Sequence, residues 1–325
     1  MGDPALEAVL RDGLARVETR LRDAVSQSDR LADATSRHLV EAGGKRVRPT
    51  LALIAAQLGS GTSPEVLDAA VVVELTHLAT LYHDDVMDSA PLRRGAPSAQ
   101  IVWGNSVAIL TGDLLFARAS RIVSDLGPEA VRIQAETFER LCIGQLHETV
   151  GPAPEDDPVA HYIQVLADKT GSLIATSARF GAMFGGADEV VQRVLVEYGE
   201  RVGVAFQLAD DVIDLTSDGG ATGKTPGTDL REHVPTLPVL LVRRAAADGD
   251  TASERLVALL DDDLGPDEAL ARAVDGLRAH DALAQTAAEA RRWADDAVAA
   301  LAPIPDGPVK SALASFAVAV VDRAS

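Results

Sequence analysis

Two short segments of the 325-residue chain share one acidic pattern. Asp84-Asp85-Val86-Met87-Asp88 and Asp210-Asp211-Val212-Ile213-Asp214 both read Asp-Asp-x-x-Asp. On a helix, positions i and i+4 share a face. Asp84 with Asp88, and Asp210 with Asp214, therefore each aim two carboxylates the same way. Mg²⁺ takes one or two protein carboxylates and completes its shell with water and substrate phosphate. A carboxylate pair on each of two helices is a cradle for Mg²⁺ ions that hold a diphosphate. The competing explanation is a solvated acidic face. It suits Asp156-Asp157, Asp261-Asp262-Asp263 and Asp295-Asp296, which lack the third partner. The flanks set the two motifs apart. The first follows the apolar run Val71 to Tyr82, and the second follows Gly203 to Ala209, so both sit where core-forming helices end. His77 lies two turns before Asp84, and Gln207 one turn before Asp211, on the same stripes. For His77 alone, a satisfied core histidine is the plain alternative.

Basic groups supply the complement. Lys45, Arg46 and Arg48 follow the pair Gly43-Gly44, and Arg93-Arg94-Gly95 comes soon after the first motif. Lys169-Thr170-Gly171 and Gly223-Lys224 add two more cations beside glycines. Arginine forks match phosphate oxygens. A surface ion pair accounts for any one cluster, and is preferred for Lys224 taken alone. Their number argues for two anion sites, one held with metal and one purely basic.

The elements that must position these groups read as helices. Apolar residues recur at three and four among Ala, Leu, Arg and Glu, and no long stretch alternates. Aromatics are 3% of the chain, so the core is aliphatic. Helix junctions are expected at Gly59 to Glu65, with Ser63 as cap and Pro64 in first position. Others fall at Gly127-Pro128, Gly151 to Pro158, Gly185-Gly186 and Gly265-Pro266. The longest irregular stretch, Ser217 to Pro238, is of the length that usually carries function. No repeat or linker divides the chain, which reads as a single all-α domain over residues 1–325. The net charge of −19 argues against nucleic-acid partners. One cysteine, Cys142, builds neither a disulfide framework nor a cysteine metal site. No apolar run is long enough to span a membrane, and the first residues do not have the pattern of a signal peptide, so a cytoplasmic protein is expected.

Taken together, these segments make the chain resemble the trans-prenyl diphosphate synthases, or polyprenyl synthetases. The resemblance is carried by Gly43 to Pro49, His77 to Asp88 with Arg93-Arg94-Gly95, Gly112-Asp113, Lys169-Thr170, Phe206 to Asp214 and Gly223 to Pro238. It implies the all-α isoprenoid synthase fold, with helices around a deep central cavity, as a homodimer. It implies head-to-tail condensation of an allylic prenyl diphosphate with isopentenyl diphosphate. Mg²⁺ binding then falls to Asp84, Asp88 and Asp210, three ions per active site in the substrate complex, while Asp85, Asp211 and Asp214 complete the motifs. Lys45, Arg48, His77 and Arg94 would hold isopentenyl diphosphate. Arg93, Lys169 and Lys224 would hold the allylic diphosphate, and Thr170 and Gln207 would line the developing cation. One departure stands out: His233-Val234 occupies the place where many members have Gly-Lys, leaving Arg231 or His233 to compensate.

The growing product is expected to run beside the helix that ends in the first motif, past Ala79 and Thr80, then Thr76, then Val72 and Val73. None is aromatic, so roughly three turns, or about 16 Å, lie open along this wall. A product of six or more isoprene units is expected. The competing arrangement has a side chain from another helix, such as Phe116 or Met183, as the floor, which would give a farnesyl- or geranylgeranyl-length product. A terpene cyclase has no use for the separate basic site of Lys45, Arg48 and Arg94. A non-catalytic subunit of a two-component synthase should have lost Asp motifs. A Ca²⁺-binding helical protein should carry D-x-D-x-D-G loops, and none is found.

Overall fold

Helical spacing runs through nearly the whole chain, and the computed structural model, which describes residues 3–217, 226–232 and 234–323, is built from helices accordingly. In chain order these are α1 (Pro4–Val25), α2 (Arg30–Glu41), α3 (Val47–Ala56), α4 (Pro64–Met87), α5 (Ala99–Trp103), α6 (Asn105–Asp125), α7 (Pro128–Val150) and α8 (Pro158–Leu166). There follow α9 (Ser172–Phe184), α10 (Glu189–Thr216), α11 (Thr228–Arg231), α12 (Leu237–Ala247), α13 (Thr251–Leu260), α14 (Asp267–Ala279), α15 (Asp281–Ala300) and α16 (Pro308–Asp322). A π-helical turn, Ala167–Gly171, joins α8 to α9. The all-α expectation therefore holds, with one addition. Leu92–Arg93 (β1) and Ala96–Pro97 (β2) pair antiparallel as a two-residue hairpin. Strands this short leave no alternation for a sequence pattern to register.

The punctuation works as expected at Gly59 to Glu65, Gly127-Pro128 and Gly151 to Pro158, whereas the stretch expected to be irregular from Ser217 to Pro238 holds α11 and ends where α12 opens at Leu237. Ser63 caps α4 by accepting from the Val66 amide at 3.2 Å, with Pro64 in first position. Pro128 opens α7, and Asp157 followed by Pro158 opens α8.

The described residues group into two compact units. The first takes Met1–Arg140, Ser172–Gly199 and Ala300–Ser315; the second takes Leu141–Gly171, Glu200–Ala299 and Phe316–Ser325. In the first unit α4 is the central helix, packed against α1, α3, α6 and α9. Its residues Val66 to Ala79 are buried almost without interruption, as befits a helix apolar on every side. In the second unit α11 to α14 and the end of α10 close around Leu215, Leu230, Val242, Leu256, Val274 and Leu277.

Helices α3 and α9 approach closely in the first unit. A Cβ placed on Gly181 would lie 2.1 Å from the Ala52 carbonyl oxygen, and one on Gly185 would lie 2.6 Å from that of Ala56. Backbone lies on the far side of both contacts, so a side chain here forces the helices apart. Overpacking of this kind costs up to about 3 kcal/mol, against the roughly 1 kcal/mol gained by replacing a helical glycine with alanine. Gly181→Ala is expected to destabilise the protein by about 2 kcal/mol, read as a lower urea midpoint at unchanged m. A midpoint equal to the parent's would show that α3 and α9 can yield.

Candidate active site

In the first unit, the end of α4 and the hairpin behind it bring the first Asp motif to the arginines. Asp84 is partly buried and Asp88 exposed, while Asp85 between them is fully buried. Asp85 Oδ1 accepts from Arg93 Nε at 2.6 Å, and Oδ2 has no hydrogen-bond partner. Burial pushes the Asp85 carboxyl above the usual carboxylate range, and Arg93 opposes that shift. Arg93 ends β1, and the turn that follows puts Arg94 and Gly95 both at positive φ, 54° and 78°. That is the pattern of a tight type I′ hairpin turn. It turns Arg94 back onto the carbonyls of Leu39, at 3.0 Å, and Gly43. The Arg94 guanidinium lies flat against Gly44, where a Cβ would sit 2.8 Å from Cζ. Gly44 thus makes room for an arginine 50 residues further on in the chain.

The three cations after that pair take different places. Lys45 is exposed. Arg46 adopts φ 47° and turns inward, donating to Glu74 at 2.9 Å and Glu18 at 2.5 Å. Burial alone would lower its pKa, and the two glutamates more than reverse that. Arg48 is partly buried, its Nε has no partner, and burial brings its pKa down to about 10. His77, partly buried on α4, is held neutral, its pKa well below the ordinary value. Burial is the largest cause, followed by the fields of Arg48, Arg94, Arg93 and Arg46. A neutral imidazole among arginines, with a guanidinium nitrogen left unpaired, is a place where positive charge exceeds what the protein itself neutralises. An anion is the complement it lacks.

In the second unit the π-helical turn presents Lys169 and Thr170. Single π turns inside helical segments are frequent at functional sites. Thr170 Oγ1 donates to Gln207 Oε1 at 3.3 Å, and Lys169 Nζ reaches Glu148 at 2.5 Å. Close packing fixes this arrangement, since a Cβ on Gly203 would meet Gly171 Cα at 2.4 Å. The second Asp motif repeats the division seen in the first. Asp211 is buried and accepts from the Tyr162 hydroxyl at 2.8 Å and the Leu237 amide at 3.4 Å. Burial raises its pKa well above the ordinary value, Asp229 and Asp210 add to this, and the two hydrogen bonds oppose it. Asp210 is partly exposed and pairs with Arg323 at 3.1 Å, whose guanidinium also covers the Phe206 ring at 4.3 Å. Asp214 turns to structure, accepting from the amides of Thr228 and Asp229 at the start of α11. Arg231 pairs with Asp267 at 2.5 Å. Lys224 and His233 lie outside the described residues.

Among the described residues no three His, Cys, Asp or Glu side chains converge as a ready metal cage. Mg²⁺ does not require one, because it keeps waters and takes substrate phosphate beside one or two carboxylates. Hard oxygen donors at the partly or fully exposed Asp84, Asp88 and Asp210 fit that demand. The buried Asp85 and Asp211 do not, being engaged with Arg93 and Tyr162.

Of the wall residues, Val72, Val73, Thr76 and Ala79 are buried and Thr80 is partly buried, donating to the His77 carbonyl at 2.8 Å. The Phe116 ring packs against Phe138 at 4.1 Å, tilted by 50°, and lies 5.9 Å from His83, next to Asp84. Tyr162, Glu148, Arg323 and Glu74 escaped the sequence reading. Only Glu74 left a signal, as the one acid inside an apolar run; the others meet their partners across chain separations that no spacing rule covers.

A family model, polyprenyl synthetase, matches residues 29–275. The chain is 48% identical to a nonaprenyl diphosphate synthase of Mycobacterium tuberculosis, across 99% of this chain and 96% of that one. Its fold matches a Corynebacterium glutamicum geranylgeranyl pyrophosphate synthase, complexed with calcium and isoprenyl diphosphate. The TM-score is 0.87 at 43% identity, covering 99% and 98% of the two chains. A Rhodobacter capsulatus decaprenyl diphosphate synthase matches with a TM-score of 0.87 at 33% identity, covering 99% of each chain. The chain belongs to the polyprenyl synthetase family and has the all-α isoprenoid synthase fold. Among the described residues, no helix is long and apolar enough to cross a membrane.

The depressed His77 pKa has a definite sign. Below about pH 6.5 the unfolded chain takes up a proton that the folded chain refuses, so stability falls as pH falls towards the folded value, by at most about 1.4 kcal/mol per pH unit. His77→Gln is expected to remove that slope. Inorganic diphosphate is expected to raise the His77 pKa, followed by its NMR ring resonances. A His77 resonance that titrates near 6.5 in the free protein would contradict the cationic surroundings described above.

Proposed function

We propose that the protein is a Mg²⁺-dependent trans-prenyltransferase that joins isopentenyl diphosphate to an allylic prenyl diphosphate and builds a medium- to long-chain all-trans polyprenyl diphosphate of six or more units. The observation that carries the reading is the unbalanced positive charge around His77 and Arg48, in a chain of net charge −19, on the helix that ends in Asp84 to Asp88. Two charge patterns side by side call for two diphosphates, one needing metal and one not.

In this reading Lys45, Arg48, His77 and Arg94 hold isopentenyl diphosphate. Arg93, Lys169 and Lys224 hold the allylic diphosphate, and Asp84, Asp88 and Asp210 take up three Mg²⁺. When bound there, Mg²⁺ would supply the positive charge that lets the diphosphate leave as the allylic C–O bond ionises. The chain's own part is preorganisation. Asp85 holds the Arg93 guanidinium before any substrate arrives, and Arg94 is braced on two backbone carbonyls. Charges fixed in advance stabilise a developing diphosphate anion without reorganising. The paired Thr170 hydroxyl and Gln207 amide oxygen offer dipoles to the allylic cation. The double bond of isopentenyl diphosphate attacks that cation, and the departing diphosphate takes the proton that leaves. Lys169 must leave Glu148, and Asp210 must leave Arg323, to do this work.

The whole chain, 1–325, is read as one catalytic domain working in the cytoplasm. Ile101, Val102, Ile109 and Leu110 are exposed on α5 and the start of α6 and support a homodimer through that face. The small, non-aromatic wall before Asp84 and the similarity to nonaprenyl and decaprenyl diphosphate synthases support the longer product.

The test is incubation with Mg²⁺, labelled isopentenyl diphosphate and dimethylallyl, geranyl or farnesyl diphosphate, with products sized as prenols. A ladder ending at one long prenol is expected. An end at geranylgeraniol would keep the reaction and refute the length, and no incorporation with any primer would refute the reading. Asp84→Ala is expected to lower kcat by about 10²- to 10³-fold, the size of effect seen when one preorganised charge is lost. Arg48→Gln is expected to raise KM for isopentenyl diphosphate by about tenfold or more, the worth of one charge-assisted hydrogen bond. Equal KM values would place that substrate elsewhere.

A further inference from the structure

Tyr82 stands on α4 two residues before the first Asp motif, and it is fully buried. Its hydroxyl reaches α2. There it donates to the Thr35 carbonyl at 2.5 Å and accepts from the Leu39 amide at 3.3 Å. Thr35 and Leu39 are four residues apart, so these two groups are natural partners for each other in a helix. The phenol therefore bridges one rung of the α2 ladder, at the last turn of that helix.

The same turn of α2 holds the hairpin. The Leu39 carbonyl accepts from Arg94 Nη1 at 3.0 Å, and His38, through Nε2, donates to the Pro97 carbonyl at 2.8 Å. Two links thus run from the end of α4 to two adjacent arginines. Asp85 takes Arg93 directly, at 2.6 Å. Tyr82 reaches Arg94 at one remove, through Leu39. The helix does not need this bridge, since the amide and carbonyl of the rung can close on each other. A buried phenol must find partners for its hydroxyl, and an apolar side chain in its place would avoid that demand. What the hydroxyl adds is a fixed separation between α4 and Leu39. It thereby fixes where the Arg94 guanidinium stands relative to the helix that carries His77 and the first Asp motif. A cation set in place beforehand binds an anion without reorganising.

We propose that Tyr82 is a positioning residue for isopentenyl diphosphate, acting on Arg94 through Leu39. The proposal rests on the reading above in which Arg94 holds that substrate. Its test is steady-state kinetics with Mg²⁺, farnesyl diphosphate and isopentenyl diphosphate, compared between the wild type, Tyr82→Phe, Arg94→Gln and the double variant. Tyr82→Phe keeps the ring, removes one oxygen and leaves Thr35 and Leu39 able to pair, so the fold is retained. It is expected to raise KM for isopentenyl diphosphate by about three- to tenfold, the factor that one net hydrogen bond is worth. KM for farnesyl diphosphate and kcat are expected to stay at their wild-type values. In the Arg94→Gln background the same change is expected to add nothing, because the two residues act as one unit. A Tyr82→Phe protein that only melts earlier, or whose two KM values move together, overturns the positioning role, and so do additive effects in the double variant. Arg94→Gln with an unchanged KM for isopentenyl diphosphate instead overturns the place given to Arg94 in the site, and the proposal with it.

Discussion

Arg46 is buried between Glu74 and Glu18, and the head of the site depends on that ion network. Several arginines within a few residues of one another repel, and burial makes repulsion worse. Glu74 sits inside the apolar heart of α4, where a lone carboxylate would be costly. The Arg46 fork supplies its counter-charge and also reaches the carbonyls of Gly43 and Val40. With one guanidinium committed inward, the loop after Gly43-Gly44 is held rigid. Arg48 and Arg94 are then left facing His77 with charge to spare.

The Asp motifs follow a related division of labour. In each, the middle carboxylate is buried and spent on holding a neighbour, Arg93 for Asp85 and Tyr162 for Asp211. Asp84, Asp88 and Asp210 keep at least partial access to solvent, while Asp214 accepts from the amides that open α11. A buried, raised-pKa aspartate is a poor partner for an exchangeable hydrated ion, whereas a half-exposed one loses little on binding it. Each motif therefore combines a buried positioner with solvent-accessible carboxylates, and in the first motif helical periodicity separates them by turning Asp85 away from Asp84 and Asp88.

Much of the protein was legible in its sequence. Helical spacing and the Ser63-Pro64 type of punctuation set the helices, because caps and amphipathic periods are local properties of the chain. Asp84, Asp88, Asp210 and the clusters around Arg48 and Arg93 were legible because charge pattern and i, i+4 geometry are local too. The tertiary structure alone decided that Arg46 turns inward while Arg48 does not, and that Gly44 exists to seat Arg94. It alone decided that Asp85 and Asp211 are buried, that Arg323 meets Asp210, and that Gln134 donates to Thr76. Each of these joins residues far apart in the chain, and such meetings are fixed by how helices pack, which no local spacing records.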